Sequence, residues 1–351
     1  MTGPAAASGQ TGPADGQAAT ADGQLGTADG QAVTADGQPG MAGGLRAAIA
    51  SGRFVVTAEI GPPRDANPEA ITRKASLLRG WVDAANVTDC QGATVKMSSL
   101  AGSVLARAAG VEPVMQLTCR DRNRIALQSD LLGAAALGIP NVLLLTGDHP
   151  RFGDHPEARP VFDLDGVQLT WAARTLRDGA LISGQRLEHR PGWLIGTVEN
   201  PFAPPVSFRA RRLAKKVAAG AEFVQTQYVF DVEKFALWMG ELRDLGVTER
   251  CAVLAGIGPI RSLRVLEILR SEVPGIYVPD DVVRRLRGVP ADQVADEGIS
   301  LCVETIQQVA QIPGVRGVHL MAFGFERGVP GILERAGVGP RAGLAHAQEV
   351  P

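Results

Sequence analysis

The sequence predicts a (β/α)8 TIM barrel, an α/β fold in which eight parallel strands close into a cylinder. After Arg46, short apolar runs alternate with charged amphipathic stretches, which is typical of βα units. Most successive runs start about 30 residues apart, the length of one strand with its returning helix. Eight units of this kind close most economically into a barrel. The strands are expected to begin near Phe54, Ala85, Pro113, Asn141, Trp193, Phe223, Ala252 and Gly317.

Helix signals support this register. The tripeptide Asn67-Pro68-Glu69 supplies an N-cap side chain and a first-turn proline before a helix over Ile71–Trp81. Gly110 and Gly138 are expected at helix C-termini. Two connections are longer than the others: an extended loop over 151–166 and an extra segment around 277–295.

An open doubly wound sheet is the alternative architecture. It would normally carry a G-x-G-x-x-G turn after an early strand, and none is present there. The nearest match, Gly256-Ile257-Gly258-Pro259, comes late and lacks the third glycine, so we interpret it as a loop.

Both ends of the chain differ in composition from the barrel region, which we place at residues 45–338. Residues 1–44 are rich in Gly, Ala, Thr, Asp and Gln. No large apolar residue keeps a fixed place in their seven-residue repeat, and a glycine in each repeat opposes helix formation. We predict a disordered tail over 1–44 and a flexible C-terminal tail over 339–351. The sequence Ala-Asp-Gly-Gln starts at Ala14, Ala21, Ala28 and Ala35.

Bulk properties exclude several classes of function. The 351 residues are 45% hydrophobic, enough for one large barrel core, and the net charge of −2 gives no field that would attract nucleic acid or an anionic membrane. No apolar stretch is long enough to span a membrane. The four cysteines show no C-x-x-C spacing, which favours reduced thiols in the cytoplasm. We expect small-molecule partners and no membrane or nucleic-acid partner.

In a barrel of this type the chemistry lies at the carboxyl ends of the strands. Acids and amides dominate these positions, a mixture suited to binding a polar heterocycle with a carboxylic acid available for proton transfer. The residues concerned are Glu59, Thr88, Gln116, Thr118, Asp148, Glu199, Asn200, Gln227 and the stretch Gly256–Pro259.

Two carboxyl groups at these ends are candidates for function. Glu59 closes the first strand and precedes a rigid Ile60-Gly61-Pro62-Pro63 turn, and its alternative role is an ion pair with Arg64. Asp148 follows the apolar run that ends at Leu145, and its alternative role is a helix N-cap.

Two further polar groups have open interpretations. The acids and histidines after Asp148 show no recognised ligand spacing, so a solvated loop is favoured and no metal is predicted. The basic residues after the fifth strand, at helical spacing, could reach the phosphates of a dinucleotide or flavin, or could form a solvated helix face. The first group is His149, Asp154, His155, Glu157, Asp163 and Asp165; the second is Arg209, Arg211, Arg212, Lys215 and Lys216.

Five motifs together resemble the methylenetetrahydrofolate reductase family, in the family's order, over Phe54 to about Glu326. They are Glu59-Ile60-Gly61-Pro62-Pro63-Arg64, Leu117-Thr118-Cys119, Leu145-Thr146-Gly147-Asp148-His149-Pro150, Lys215-Lys216-Val217 with Ala219-Gly220-Ala221, and Gln225-Thr226-Gln227-Tyr228-Val229-Phe230-Asp231.

The resemblance implies a (β/α)8 barrel that reduces 5,10-methylenetetrahydrofolate to 5-methyltetrahydrofolate, a step of one-carbon metabolism and methionine biosynthesis. NADH or NADPH is the hydride donor, and FAD or FMN is the usual carrier. Glu59 matches the general acid that opens the folate ring to an iminium ion, Asp148 the residue that binds the pterin, and Gln227 a glutamine shared by folate and nicotinamide. Gln116 is a further expected substrate contact. Expected cofactor contacts are Thr88, Gln116, Thr118, Thr146, Gly147, Asp148, Asn200, Arg212, Lys215 and Lys216.

The chain departs from the flavin-using members of that family. Gln116 replaces a histidine and Thr146 an arginine. After the fifth strand, Gly196 and Asn200 stand for a flavin-contacting tyrosine and histidine, Arg209 and Arg212 for an acidic and an amide position, and Leu263 for a covering aromatic residue. Either a flavin is held through backbone amides and substituted contacts such as Lys215 and Lys216, or nicotinamide delivers hydride directly.

Other functional classes remain open from sequence. The chain could be a folate-binding barrel that acts without a redox step beside a corrinoid methyltransferase partner, although such a barrel has no evident need for Glu59. A non-catalytic subunit is disfavoured because Glu59, Asp148 and Gln227 are all retained. The choice between NADH and NADPH, and whether the protein forms a homo-oligomer, are not decided by these patterns.

Overall fold

The computed structural model describes residues 44–271, 273 and 275–341. Eight parallel strands, hydrogen-bonded in chain order, form a closed barrel in which the last strand pairs with the first. Each strand begins within two residues of its predicted start, so the TIM-barrel prediction is confirmed. The strands are β1 Val55–Ile60, β2 Ala84–Val87, β3 Pro113–Thr118, β4 Asn141–Leu145, β5 Leu194–Glu199, β6 Phe223–Tyr228, β7 Ala252–Ile257 and β8 Val315–Leu320.

Helices return the chain outside the barrel between successive strands. The exceptions are one helix before β1, one helix after β8, and a β7–β8 connection that contains three helices instead of one. The helices are α1 Leu45–Ala50, α2 Pro68–Leu78, α3 Ser99–Ala108, α4 Arg124–Ala136, α5 Gly166–Arg177, α6 Arg209–Ala219, α7 Val232–Asp244, α8 Leu263–Ser271, α9 Asp280–Arg287, α10 Val294–Val309 and α11 Val329–Arg335.

The local signals read from the sequence define several of these ends. The Asn67 side chain accepts a hydrogen bond from the Glu69 N–H, at 2.9 Å, and α2 begins at Pro68 between them. Gly110 and Gly138 adopt φ of +83° and +70° just after α3 and α4, which an L side chain rarely does. α2 ends at Leu78, three residues before the predicted Trp81, because Arg79 is already extended.

Alternate side chains of each strand face the inside of the barrel. The lower interior is an apolar layer contributed by seven strands, including Val55, Val114, Leu143 and Leu254. α1 closes this end of the barrel, since its Leu45 is fully buried in the same layer. The other side chains of each strand, Val56 and Val318 among them, point outward and pack against the helices.

The loop prediction for Gly256–Pro259 is wrong for its first two residues, which belong to β7. A glycine is needed there because a Cβ on Gly256 would lie 2.1 Å from the Thr226 carbonyl oxygen. The two long connections are present: no α-helix forms between Phe152 and Gly166, and the extra segment before β8 contains α9.

The contacts of the barrel extend slightly beyond the predicted boundary at residue 338. Arg341 is 7% exposed, its N–H donates to the Gly80 carbonyl at 2.8 Å, and its guanidinium lies 3.2 Å from the Asp83 carboxylate. Residues 339–341 are therefore part of the domain. The rest of the predicted C-terminal tail, and the N-terminal repeat as far as residue 43, lie outside the described residues. No helix in the described ranges has the length and apolar character needed to cross a membrane.

Candidate active site

A largely buried acid, Glu59, lies at the mouth of the barrel formed by the carboxyl ends of the strands. Glu59, near the end of β1, has a side chain that is 11% exposed. Its predicted alternative partner, Arg64, instead pairs with Asp154 at 2.5 Å. Among the described residues, no hydrogen bond reaches the Glu59 carboxyl group. Glu59 is therefore positioned as a buried acid with a free oxygen edge, which is what proton transfer requires.

One ring approaches Glu59 from the barrel interior. His319 on β8 is 3% exposed, and its Nε2 lies 3.7 Å from Glu59 Oε1. Its Nδ1 lies 3.0 Å from Thr57 Oγ1. The sequence interpretation missed His319 because it considered only residues at the very ends of strands. The period-two pattern could have identified it, since Gly317 and His319 share one face of β8.

Two other ionisable groups lie within electrostatic range of Glu59. Burial lowers the pKa of Lys96, on the β2–α3 connection; Lys74 lowers it further, while Glu59 raises it. Burial likewise raises the pKa of Tyr228 well above its ordinary value, so the phenol stays neutral. Its hydroxyl donates to the Met321 carbonyl at 3.0 Å. A cation and a neutral phenol thus complete the surroundings of the acid.

Asp148 lies at the same end of the barrel, exposed, after β4. Its Oδ2 accepts a hydrogen bond from the Gly92 N–H at 3.2 Å, which leaves the other oxygen open. It does not cap the following turn, because that role belongs to His149, whose Nδ1 accepts from the Arg151 N–H. The N-cap alternative for Asp148 is therefore wrong, and its carboxylate is available to a ligand.

The two expected glutamine contacts also reach the mouth. Gln227 is partly exposed, and its Oε1 accepts from the Tyr228 N–H at 3.0 Å, so its side chain is held by its own backbone. The β6–β7 register shifts between Gln225 and Tyr228, an irregularity of the kind that re-aims side chains near active sites. Gln116 on β3 is 8% exposed, and within the described part of the chain its amide has no hydrogen-bond partner.

The expected threonine contacts are mostly bound to other parts of the protein. Thr118 Oγ1 donates to Asp89 at 2.8 Å, and Thr146 Oγ1 accepts from the Gly166 N–H at 3.1 Å. Asp89, which the sequence interpretation missed, also binds the Arg122 guanidinium at 2.8 Å. Thr88 differs from these, because its buried hydroxyl has no partner among the described residues.

Glu199 does not face the mouth, so its placement there was wrong. The Glu199 side chain is on the outward-facing side of β5 and points toward α6, where its carboxylate is completely buried. Three cations contact it: Arg209 at 3.6 Å, Arg212 at 3.1 Å and Lys216 at 3.3 Å. Burial lowers the pKa of Lys216 to about 8, despite the opposing effect of Glu199. Arg212 and Lys216 are thus internal ion-pair partners.

The remaining expected cofactor contacts of this region are dispersed. Asn200 Nδ2 donates to the Gly275 carbonyl at 2.8 Å, and its Oδ1 accepts from Phe202 N at 3.0 Å. Lys215 is exposed, and its ammonium lies 5.2 Å from the centre of the Phe208 ring. Gly147 adopts φ +88° and packs against Thr118.

The polar loop after Asp148 is held by protein contacts. Asp163 forms an ion pair with Arg124 at 2.9 Å, and Asp165 is the N-cap of α5 in a capping box with Gln168. His155 lies 3.5 Å from Glu157. Over the described ranges, no three His, Cys, Asp or Glu side chains lie close enough together to hold a metal ion.

Comparison with known proteins identifies the family of this chain. A family model described as methylenetetrahydrofolate reductase matches residues 44–178 and 197–337. The chain belongs to the methylenetetrahydrofolate reductase family. Methylenetetrahydrofolate reductase 1 of Schizosaccharomyces pombe is 27% identical over 234 residues, 65% of this chain and 36% of the relative. The 5,10-methylenetetrahydrofolate reductase of Pectobacterium carotovorum is 23% identical over 279 residues, 76% of this chain and 85% of the relative.

The chain spans 36% to 42% of the length of the matched yeast and nematode relatives. Among solved structures, an uncharacterized protein from Clostridium thermocellum, described as binding two copies of 5-methyl-5,6,7,8-tetrahydrofolic acid, has a TM-score of 0.60. It is 12% identical, and the match covers 83% of this chain and 96% of that one. This similarity supports the barrel fold.

The side chains that would hold a resident flavin do not fit one. Arg212 and Lys216, the cations suited to a diphosphate, are bound to Glu199. A Cβ on Gly196 would lie 2.2 Å from Phe223 Cζ, so the phenylalanine ring fills the space beside β5. At these positions, which the resemblance assigns to flavin contacts, the side chains therefore make internal contacts instead.

Proposed function

We propose that this protein reduces 5,10-methylenetetrahydrofolate to 5-methyltetrahydrofolate with NADH or NADPH. The observation that carries the proposal is Glu59: a carboxyl group at the carboxyl end of β1, 11% exposed, with Arg64 engaged elsewhere and His319 beside it. Family membership and the names of the relatives support the same reaction.

In the proposed mechanism Glu59 is the general acid. Its protonated form donates a proton to a nitrogen of the five-membered folate ring, the bond from that nitrogen to the methylene carbon breaks, and an iminium ion forms. A hydride then adds two electrons to this carbon, which becomes the methyl group, while the nicotinamide is oxidised. The limited exposure of Glu59 keeps water from competing for the proton.

Asp148 and Gln227 are proposed to orient the two reactants. The oxygen of Asp148 that Gly92 does not use would accept from the donor edge of the pterin and stabilise the cation electrostatically. The Gln227 amide nitrogen, opposite the oxygen held by Tyr228, would contact folate or nicotinamide. Gln116, whose amide has no partner among the described residues, is a further proposed folate contact.

We further propose direct hydride transfer from nicotinamide to the iminium carbon. The support is the mismatch at the flavin-facing positions, where Arg212, Lys216 and Asn200 are bound to other parts of the protein. With one reactant seated against another in a barrel mouth, no carrier is needed between them.

The test combines a spectrum with an assay. The purified full-length chain is expected to be colourless near about 450 nm, where bound flavin absorbs, and to oxidise NADH or NADPH only when methylenetetrahydrofolate is added. Absorption in that band would contradict direct transfer. A colourless protein that binds methyltetrahydrofolate without any nicotinamide oxidation would contradict the reductase and favour the non-redox, corrinoid-partner function.

A further inference from the structure

Four polar side chains form a connected group inside the barrel beneath Glu59. They are contributed by four different strands, and none is more than 3% exposed. Burying polar groups costs free energy unless each finds a hydrogen-bond partner. The layer below them is apolar, so these residues occupy positions where hydrophobic side chains would pack. We call them the interior relay: Asn86 on β2, Gln225 on β6, Thr57 on β1 and His319 on β8.

The interior relay begins with a reciprocal amide pair. Asn86 Nδ2 donates to Gln225 Oε1 at 2.5 Å, and Gln225 Nε2 donates back to Asn86 Oδ1 at 3.0 Å. The second hydrogen on Gln225 Nε2 is donated to Thr57 Oγ1, also at 3.0 Å. The amide pair therefore fixes which side of the threonine hydroxyl acts as acceptor.

The direction of these bonds continues to the histidine. Because Thr57 Oγ1 accepts from Gln225, its own proton is available for His319 Nδ1, 3.0 Å away. An imidazole that accepts at Nδ1 carries its hydrogen on Nε2 when neutral. Nε2 is the atom that lies 3.7 Å from Glu59 Oε1. An N–H group, not a lone pair, then faces the acid.

We propose that Asn86 and Gln225 are positioning residues for the general acid. Their amide pair orients the Thr57 hydroxyl, this orientation selects the Nε2–H tautomer of His319, and that N–H supports the Glu59 carboxylate formed when the proton leaves. The inference rests on the proposed function of Glu59. It extends the proposed catalytic machinery from the mouth to buried residues of the barrel interior.

The inference has a definite consequence for pH dependence. A donor facing Glu59 favours its carboxylate, whereas a lone pair would favour its protonated form. Without the amide pair, Glu59 becomes a weaker proton donor, and the basic limb of the kcat profile moves to higher pH. Lys96 on the β2–α3 connection and Tyr228 on β6 also influence Glu59. Neither has a hydrogen bond to the amide pair, so their effects persist in the variants.

The experiment uses Gln225→Met in the full-length chain, a change that keeps side-chain length and removes all hydrogen bonding. Nitrogen-15 NMR of labelled histidine, without folate, reports the tautomer. We expect wild-type His319 to be protonated at Nε2, and the variant to show both tautomers. We also expect kcat to fall roughly tenfold, a fraction of what a general acid contributes, with an unchanged KM for folate. The basic limb of the kcat profile should move to higher pH.

The matched control is Asn141→Leu. Asn141 is also a buried amide on a strand, 1% exposed, but at the opposite end of the barrel, where it donates to Glu112 and to the Pro113 carbonyl. Its loss should lower stability and leave both the His319 tautomer and the basic limb unchanged. Thr57→Val provides a second variant in case Gln225→Met does not fold, and it should give the same mixed tautomer.

Each outcome bears on a different part of the inference. A His319 tautomer that stays unchanged in Gln225→Met, or in Thr57→Val, overturns it, because the amide pair then only fills space. A wild-type protein with the expected tautomer but no folate reduction instead overturns the proposed function of Glu59, and with it the catalytic part of this inference. A mixed tautomer together with a shifted pH limb supports both.

Discussion

Thr57 and His319 face each other across the seam at which β8 meets β1. They are register partners in this strand pair, and their side chains approach to 3.0 Å between Oγ1 and Nδ1. These residues are 262 positions apart in the chain. The contact beside Glu59 can therefore form only when the barrel closes, so the proposed activity depends on correct closure.

Glu59→Gln should abolish folate reduction. An amide cannot donate a proton at a useful pKa, and general acids contribute roughly 10²–10⁴-fold to rate. Because Glu59 accepts no hydrogen bond among the described residues, the melting temperature of the variant should differ from that of the wild type by less than about 2 °C. Steady-state kinetics and thermal melts measure the two effects. Glu69→Gln, in the first turn of α2, is the control and should keep full activity; normal turnover in Glu59→Gln would exclude the role assigned to Glu59.

Asp148→Asn should raise the KM for folate more strongly than it lowers kcat at saturation. The amide oxygen can still accept from the Gly92 N–H, so the loop geometry is retained, while the negative charge toward the pterin is lost. A charge-assisted hydrogen bond contributes about 1.5–3 kcal/mol, which corresponds to roughly 10- to 100-fold in KM. Glu157→Gln, an exposed acid in the same loop, is the control. An unchanged KM in Asp148→Asn would remove this residue from the binding site.

Lys216→Met should change how stability depends on pH. The folded-state pKa of Lys216 is lowered to about 8 from 10.5, so between these values the folded chain binds fewer protons than the unfolded chain. This group therefore contributes stability that increases as pH rises from 8 to 10.5. We expect the difference in free energy of unfolding, wild type minus variant, to increase over that interval in urea titrations. A difference that is flat with pH would show that the lysine is not held in this environment.

Arg341→Met should destabilise the barrel. Arg341 places a guanidinium 3.2 Å from the Asp83 carboxylate, which is fully buried and whose other cation, Arg53, is 39% exposed. Removing one partner of a buried charge leaves it poorly compensated, so a loss of about 1–3 kcal/mol is expected in urea unfolding. Arg335→Met, at the end of α11, is the control and should cost less. Equal losses of unfolding free energy in the two variants would show that the Arg341–Asp83 contact makes no special contribution to stability.

The fold could be predicted from sequence because eight apolar runs with regular spacing determine the strands. The same pattern identified Glu59 and Asp148, since a strand end is visible where the apolar run stops. It failed for Glu199, because strand parity decides whether a terminal acid faces the mouth or a helix, and a shift of one residue reverses the answer. It also missed His319 and Asp89, because the partners that give these residues a role lie on other strands.

The helix before the first strand determines from which end ligands reach the barrel interior. Leu45 of α1 is buried in the lowest interior layer, so α1 closes one end of the barrel. Any compound that reaches Glu59 must arrive and depart by the opposite opening. Under the proposed function, folate and nicotinamide therefore enter and leave through the same opening, and the product nearest that opening leaves before the one behind it is exchanged.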